Sequence, residues 1–577
     1  MTAEASTVWR VACVCIMLCA SGARLSAAEK ADAVVEQRLF SMARTWPSEE
    51  PADCPFERSK DILGIGFTGR YKFYAGADTW YPSWAADGNL YSPWTDGSVG
   101  EMDGHPGASS WSGYPKATTC HAKIVGDDPM DLKVYHLGRH RALPLPCGGR
   151  YPCGSLVYNG IWYYGTYCLD GGAYAWWQLR PFVGFRWSDD LGKTWTDTPC
   201  TPANNLFKEP CTGRVKIGAP HFVDFGRNME HSPDGNAYLV AHGATREIGT
   251  LSWNRGDQIY MVRVTPSPET INDLSAYEFF AGYDNAGKAV WTKDFRQIKP
   301  LIDWPAKVGI VTMTYNAPLK KYLMFLTDGS WTGEDRYNTF VLESSAITGP
   351  WKLVTYMKDF GTQAYFVNMP SKFVGKDGKT AWLWYSNNCI SRDSGDPTGG
   401  MYALSQCEIK FFTPGDAMYP MGDPLRVPAN VARIAKFSAR SVSPSLTKRE
   451  KRPTHGEGAI NGYVSHFEYD IWLPDNEGVG AWIRLDWNTP QTVDRVVCFD
   501  YPSEGHQVKA GTLTFSDDST VKLTTPLPDD ASAGVELRFP PKKISWVKFE
   551  ITECQGTAGL AEIAVFKLQE PTRSERP

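Results

Sequence analysis

The sequence contains no Cys-x-x-Cys pair, no basic cluster of useful length and, beyond its first 28 residues, no apolar run long enough to span a bilayer. The first absence removes a zinc ribbon or finger, whose ligands come as close-set cysteine pairs. The second, with a net charge of −5, leaves no electrostatic footprint for nucleic acid. The third predicts a soluble mature chain without membrane helices. Long amphipathic helical periods are also missing from roughly the first 400 residues, so that region reads as β-structure.

Tryptophan is abundant instead, with 22 in a chain of 577 residues, most of them expected in the core. Indole faces also stack on the C–H faces of sugars, so rings that fall in loops are candidate carbohydrate contacts. Residues 1–28 read as a secretory signal peptide. Arg10 precedes the apolar run VACVCIMLCA, and the small residues of SAAEK place cleavage after Ala28. Cys19 follows Ile-Met-Leu, which argues against a lipid anchor. The mature protein is therefore expected to be secreted or periplasmic. Of 14 cysteines, Cys13, Cys15 and Cys19 leave with the signal, and an oxidising compartment should pair some of the rest. The nearest candidates are Cys147–Cys153 in PCGGRYPC, and Cys200–Cys211.

A turn followed by alternating apolar residues recurs as ADGNLYSPW, YNGIWYYG, PDGNAYLVAHG, YNAPLKKYLMFL and KDGKTAWLWYS. The turn residues are Asp87, Asn159, Asp234, Asn316 and Asp377, at successive spacings of 72, 75, 82 and 61 residues. Asp-Gly and Asn-Gly suit two-residue hairpins because these residues accept positive φ. Five such units, each able to supply a four-stranded sheet, predict an all-β fold with a five-bladed β-propeller over residues 60–415. Residues 29–59 precede it as an N-terminal extension. The stretch SDDLGKTW, residues 188–195, fits the Asp-box pattern S-x-D-x-G-x-x-W, which makes Asp190 a turn residue with Trp195 packed beneath it. After a linker at 416–429 the pattern changes to alternating strands, AWIRLDW, VDRVVCFDY, GTLTFSDDSTVKL, ISWVKFEIT and GLAEIAVFKL. These resemble a discoidin-type, galactose-binding-like β-sandwich (a jelly roll) over residues 430–570.

Propeller topology sorts the polar residues. The first strand of a blade runs inward from the functional face, the hairpin turn lies opposite, and the second strand returns. Asp87, Asn159, Asp234 and Asp377 thus belong to the far face, with Glu230. The functional rim collects Asp78, ahead of the first strand, and Asp96, Asp170, His242, Asp328 and Asn387, near the ends of the second strands. Trp80 stands beside Asp78, Trp176 and Trp177 lie in LDGGAYAWWQLRP, and Arg246 and Trp253 in GATREIGTLSWNRGD.

Glycoside hydrolysis needs two carboxyl groups flanking the scissile bond, one protonated and one ionised. A free Asp titrates near ~3.9, so the acid must be raised by burial or by a second carboxylate. Asp78, Asp96 and Asp170 are the candidate catalytic residues, and Gly97 is expected to let substrate approach Asp96. Trp80, Trp176, Trp177, His242, Arg246, Trp253, Asp328 and Asn387 are the candidate substrate contacts. No metal and no cofactor is expected. The expected partner is a polysaccharide or oligosaccharide, with no nucleic acid or membrane partner, and the protein is expected to be a monomer.

The segments GADTWYPSWAADGNLYSPWTDG, IYMVRVTPSPETINDLSAYEFFAGYDNAGKAVWTKD and TYNAPLKKYLMF resemble a secreted five-bladed propeller family, formerly a domain of unknown function and now associated with endo-D-arabinanase activity. The similarity spans roughly residues 60–410. SSAITGPWKLV resembles the GPW strand of the wider five-bladed furanosidase group. The resemblance implies a secreted glycoside hydrolase, endo-acting on an arabinan-like furanoside or uronate-containing polysaccharide. No Glu stands where that wider group places its third carboxylate. Two other readings stay open. One is a polysaccharide lyase, which would use a His or Tyr base and neutralise a uronate with Arg or a metal; His121, His221, His242 and Arg246 keep it open. The other is a non-catalytic carbohydrate-binding propeller.

Overall fold

The recurrent turns stand where the sequence puts them, but only Asn159-Gly160, at φ 49° and 82° between paired Tyr158 and Ile161, is the expected two-residue hairpin. Asp87 lies in a longer loop between paired Trp84 and Leu90 and holds it through its side chain. In the computed structural model Asp87 accepts hydrogen bonds from the Asn89 N–H (3.0 Å), the Asn89 side-chain amide (2.8 Å) and the Tyr91 hydroxyl (2.7 Å). Asp234 repeats the pattern with Asn236 and Tyr238, at 3.1, 2.9 and 2.9 Å. Gly88 and Gly235 follow at φ 85° and 78°, the left-handed conformation that closes such a turn. The structure describes residues 36–568 apart from 114–115, 143–148, 171–177, 212–213, 247–250, 329–336, 361–364, 387–401, 445–455, 465–470, 502, 504 and 531. The expected signal peptide, Cys147, Trp176, Trp177 and Asn387 lie outside the described residues.

Five antiparallel sheets follow one another along the chain and form the five-bladed propeller. The first contains Gly76–Asp78, Leu90–Val99, Thr118–Val125 and Lys133–Arg141. The second is built on Gly149–Tyr158 and Ile161–Asp170, and the third runs from His221–Phe222 through Ala237–Gly243 and Gln258–Val264 to Ala289–Thr292. Val311–Asn316, Lys321–Asp328, Tyr337–Ser344 and Lys352–Phe360 make the fourth. The fifth takes Tyr365–Asn368, Thr380–Ser386 and Ser405–Phe412, and its next strand is Gly64–Phe73, which comes from the start of the chain and closes the ring.

The inner strands are knitted across blade boundaries. Thr312 and Thr314 donate their hydroxyls to the carbonyls of Val367 (2.6 Å) and Met369 (2.7 Å). Asn368 reaches the Trp80 carbonyl at 3.2 Å, and the Val157 N–H reaches the Ser83 hydroxyl at 2.7 Å. On the far face, the loop 224–231 touches four other blades. Asp224 accepts from the Ser371 N–H and hydroxyl (2.7 and 2.6 Å), Arg227 donates to the Ala86 carbonyl, Asn228 bonds Asn159, and His231 packs on Tyr315. This loop crosses the axis opposite the rim.

The C-terminal sheet is seven-stranded and has its own core, with Trp472, Leu485, Val496 and Phe549 buried. Strand Glu36–Ser41, in the expected N-terminal extension, belongs to this sheet, pairing antiparallel with Ala533–Gln555. Arg44–Thr45 then joins the fifth blade beside Gly64–Phe73. Leu425, in the expected linker, is buried with Met42, Phe499 and Phe566. The expected Cys200–Cys211 bridge does not form: both are free thiols. Cys211 instead donates to the Pro202 carbonyl at 2.6 Å, while Cys200 packs against the propeller core. Cys153 is a buried thiol of the same core.

Candidate functional site

Asp78 and Asp96 sit on neighbouring antiparallel strands of the first blade. The register runs Ala77↔Gly97 and then Asp78↔Thr95, so Asp96 is the extra residue of a β-bulge. Its φ is 42°, and Thr79, next to Asp78, has φ 62°. Left-handed conformations at non-glycine residues each cost about 1–3 kcal/mol, and they cluster where a side chain must be aimed. Both acids are buried. Ser112, in the loop after Ala108–Ser110, donates its backbone N–H to one oxygen of Asp96 and its hydroxyl to the other, each at 2.6 Å. Burial pushes the Asp96 carboxyl up, and the two Ser112 donors pull against it. Asp78 accepts the Thr79 N–H. Burial, with the Asp78 charge adding to it, raises the phenols of Tyr81 and Tyr167.

Gly97 serves another purpose than the expected one. A Cβ there would strike the Gly76 carbonyl, so the glycine lets two backbone strands approach rather than a substrate. Trp80 is likewise internal: its indole N–H is bonded to the Ala77 carbonyl at 2.8 Å and its ring stacks on Trp94 at 6.0 Å. The ring faces the blade core, where no sugar can reach it.

The axis is lined by aromatic and histidine side chains. Tyr81 lies 4.2 Å from the His221 ring and 5.6 Å from Phe366, and Trp253 packs edge-on to Tyr337 (5.4 Å) and against Phe366 (5.5 Å). The Gly154 N–H donates to Nδ1 of His221 at 3.3 Å. In the neutral imidazole this leaves the proton on Nε2, which has no hydrogen-bond partner among the described residues. His242 is fully buried with Nε2 2.8 Å from the Ser252 carbonyl, so Nε2 is its donor and Nδ1 its lone pair. Burial lowers His221 to about 3 and His242 to about 4, which keeps both rings neutral near pH 7. Below them an axial cavity of about 40 Å³ is lined by Tyr81, His221, Asp224, Thr314 and Asn368. That is room for roughly three waters and not for a sugar ring.

The remaining candidates are placed elsewhere. Arg246 donates to both oxygens of Asp303 at 2.7 Å on the surface. His121 bonds the Tyr164 hydroxyl (2.7 Å) and stacks on Trp195 at 4.5 Å. It therefore belongs to the packing beneath the turn at 188–195, where Asp190 accepts from Ser188, Lys193 and Thr194. Asp328 is buried beside the Tyr356 hydroxyl (3.1 Å) and Lys307 (3.8 Å), with burial raising its carboxyl. Asp170 ends its strand opposite Gln178. Ser112 and Tyr81 escaped sequence reasoning. Ser112 meets Asp96 from 16 residues away, and no local spacing announces that contact.

Residues 430–566 match the family model described as Domain of unknown function (DUF7402). No curated protein matches the chain. Among solved structures, a protein described as a glycoside hydrolase is 12% identical, over 88% of this chain and 99% of its own, with a TM-score of 0.28. The lectin domain of lectinolysin complexed with Lewis B antigen is 18% identical over 25% of this chain and 99% of its own, TM-score 0.20. CpGH89CBM32-5 from Clostridium perfringens, in complex with GalNAc-β-1,3-galactose, is 19% identical over 24% and 99%, TM-score 0.20.

Proposed function

We propose that this chain is a glycoside hydrolase that cleaves a polysaccharide at the propeller rim, with Asp78 and Asp96 as its working carboxyl groups. The observation that carries the reading is the bulge at Asp96. Two buried acids on adjacent strands, one left-handed itself and the other followed by left-handed Thr79, are an expensive arrangement for a scaffold, and hydrolysis of a glycosidic bond has a use for it. Burial raises the Asp96 carboxyl, while Ser112 donates to both of its oxygens and would hold the charge once it forms; Asp96 takes the base, nucleophile or charge-stabilising role. Asp78 takes the acid role, giving its proton to the departing sugar oxygen. Asp170, at the corresponding strand end of the second blade, is the third candidate. The axial cavity is too small for a sugar ring, and on this reading the substrate lies at the rim instead.

Two features favour hydrolysis over lyase chemistry. His221 presents an N–H where a base needs a lone pair, and His242, whose Nδ1 keeps one, is fully buried. Arg246, which would neutralise a uronate, is already paired with Asp303. The resemblance carried by the sequence makes D-arabinan the first substrate to assay, followed by L-arabinan and polygalacturonate. New reducing ends without the ultraviolet absorbance of an unsaturated sugar support the reading. That absorbance would establish a lyase, and no cleavage of any polysaccharide would leave a binding protein.

A further inference from the structure

Among the described residues most large aromatic rings are buried, but Trp111 is 62% exposed. It stands in the loop between strands Ala108–Ser110 and Thr118–Val125 of the first blade. Its backbone is fixed in both directions: the N–H donates to the Thr118 hydroxyl at 3.1 Å, and the carbonyl accepts the Thr118 N–H at 2.7 Å. The indole edge lies against Gly113, where a Cβ would collide with the ring nitrogen. The next residue is Ser112, whose N–H and hydroxyl hold Asp96. The Trp111–Ser112 peptide bond thus joins an exposed, positioned ring to the donor pair on the carboxylate.

Covering an exposed indole with a flat apolar surface frees both faces from water, and the C–H face of a sugar ring is such a surface. We propose that Trp111 is a sugar-stacking platform for a subsite beside Asp96, and that Gly113 is present to seat its ring. The proposal rests on the hydrolase reading for its substrate, a neutral or acidic glycan chain lying across the first blade. It assigns the aromatic role to Trp111 in place of Trp80, which the core has claimed. Stacking binds a ring without reading its hydroxyls, so this subsite contributes affinity for the chain and leaves the choice of cleaved bond to the residues around Asp78.

The test compares full-length wild type with Trp111→Ala, Trp111→Phe and Gly113→Ala on the polysaccharide cleaved fastest among D-arabinan, L-arabinan and polygalacturonate. Trp111→Ala is expected to raise KM about tenfold, a loss of about 1.4 kcal/mol, with kcat within about twofold. Trp111→Phe should recover most of that loss, and Gly113→Ala should reproduce part of it while the tryptophan is still present. Melting temperatures confirm that each variant folds. Unchanged KM in a folded Trp111→Ala enzyme would overturn the platform and leave the hydrolase reading standing. If wild type binds one of these glycans without cleaving it, the hydrolase reading falls, and the platform is judged by whether Trp111→Ala weakens binding. Wild type that neither binds nor cleaves any of the three would overturn both.

Discussion

The backbone N–H of Gly154 points at Nδ1 of His221 across the boundary between the second and third blades, 3.3 Å away. That single bond decides which ring nitrogen holds the proton, and it makes His221 a donor toward the axis. The residue at 154 has φ 44°, and a Cβ there would press on the Pro220 carbonyl at 2.6 Å, so the donor is placed by a glycine that cannot be replaced without strain.

His221 and His242 make stability depend on pH. Their folded values, about 3 and about 4, lie below the ordinary 6.5. The unfolded chain therefore binds more protons between those values and 6.5. The stability they contribute is complete above pH 6.5 and is lost as the pH falls through that window, by about 1.4 kcal/mol per unit for each ring at the steepest. Asp500, raised to about 8 by burial, acts in the opposite sense, so a comparison between variants is the proper measurement. Urea midpoints at pH 7 and 4.5 should fall further for wild type than for His242→Gln. Equal falls would mean that His242 is already protonated in the folded protein.

The carboxylates should separate by position. Asp78→Asn and Asp96→Asn are expected each to lose about 10²–10⁴-fold in kcat with little change in melting temperature. Asn at 96 tolerates the left-handed backbone and can still engage Ser112. Asp87→Asn should stay fully active, because its bonds serve the far-face turn alone. A fully active Asp78→Asn enzyme would remove the proposed acid.

Asp190 offers the converse. Its carboxylate accepts from Lys193 N–H (3.0 Å), Thr194 N–H (2.9 Å) and two hydroxyls, and these bonds hold its carboxyl well below the usual range. Asp190→Ala should lower stability by about 1–3 kcal/mol and leave kcat within about twofold. Loss of activity at an unchanged melting temperature would show that the turn at 188–195 faces substrate.

Asp224 tests the far-face crossing. It holds Ser371 through two bonds and the Gly226 N–H through a third (3.0 Å). Asp224→Ala leaves these donors without their acceptor and is expected to cost about 2–3 kcal/mol. The rim lies on the opposite face, so KM should not move. A shift in KM larger than the change in stability explains would place the loop within reach of substrate.

What the sequence disclosed was local. Asp87 with Asn89 and Tyr91, and Asp234 with Asn236 and Tyr238, bond within four residues, so their pattern survives in the written order of the chain. The ring closure did not show, because Gly64–Phe73 meets Ser405–Phe412 from the other end of the propeller. Trp80 shows the same limit: its neighbours Asp78 and Thr79 point to a rim, while its own ring turns inward onto Trp94. Alternation along a strand places adjacent residues on opposite faces, and the bulge at Asp96 shifts that count by one. The Asp96–Ser112 contact depends on how a loop folds back, which no periodicity encodes.

Strand Glu36–Ser41 has consequences for how the protein is made. It leaves the ribosome hundreds of residues ahead of its partner, Ala533–Gln555. Gly64–Phe73 waits in the same way for Ser405–Phe412. The ring cannot close until Ser405–Phe412 has emerged, and the C-terminal sheet must wait longer still for Ala533–Gln555, so the early strands spend those intervals with open edges. Such distant pairings make folding slow and leave the nascent chain exposed to association with its own copies. A messenger truncated near codon 430 would release a chain whose Glu36–Ser41 strand has lost its partner for good.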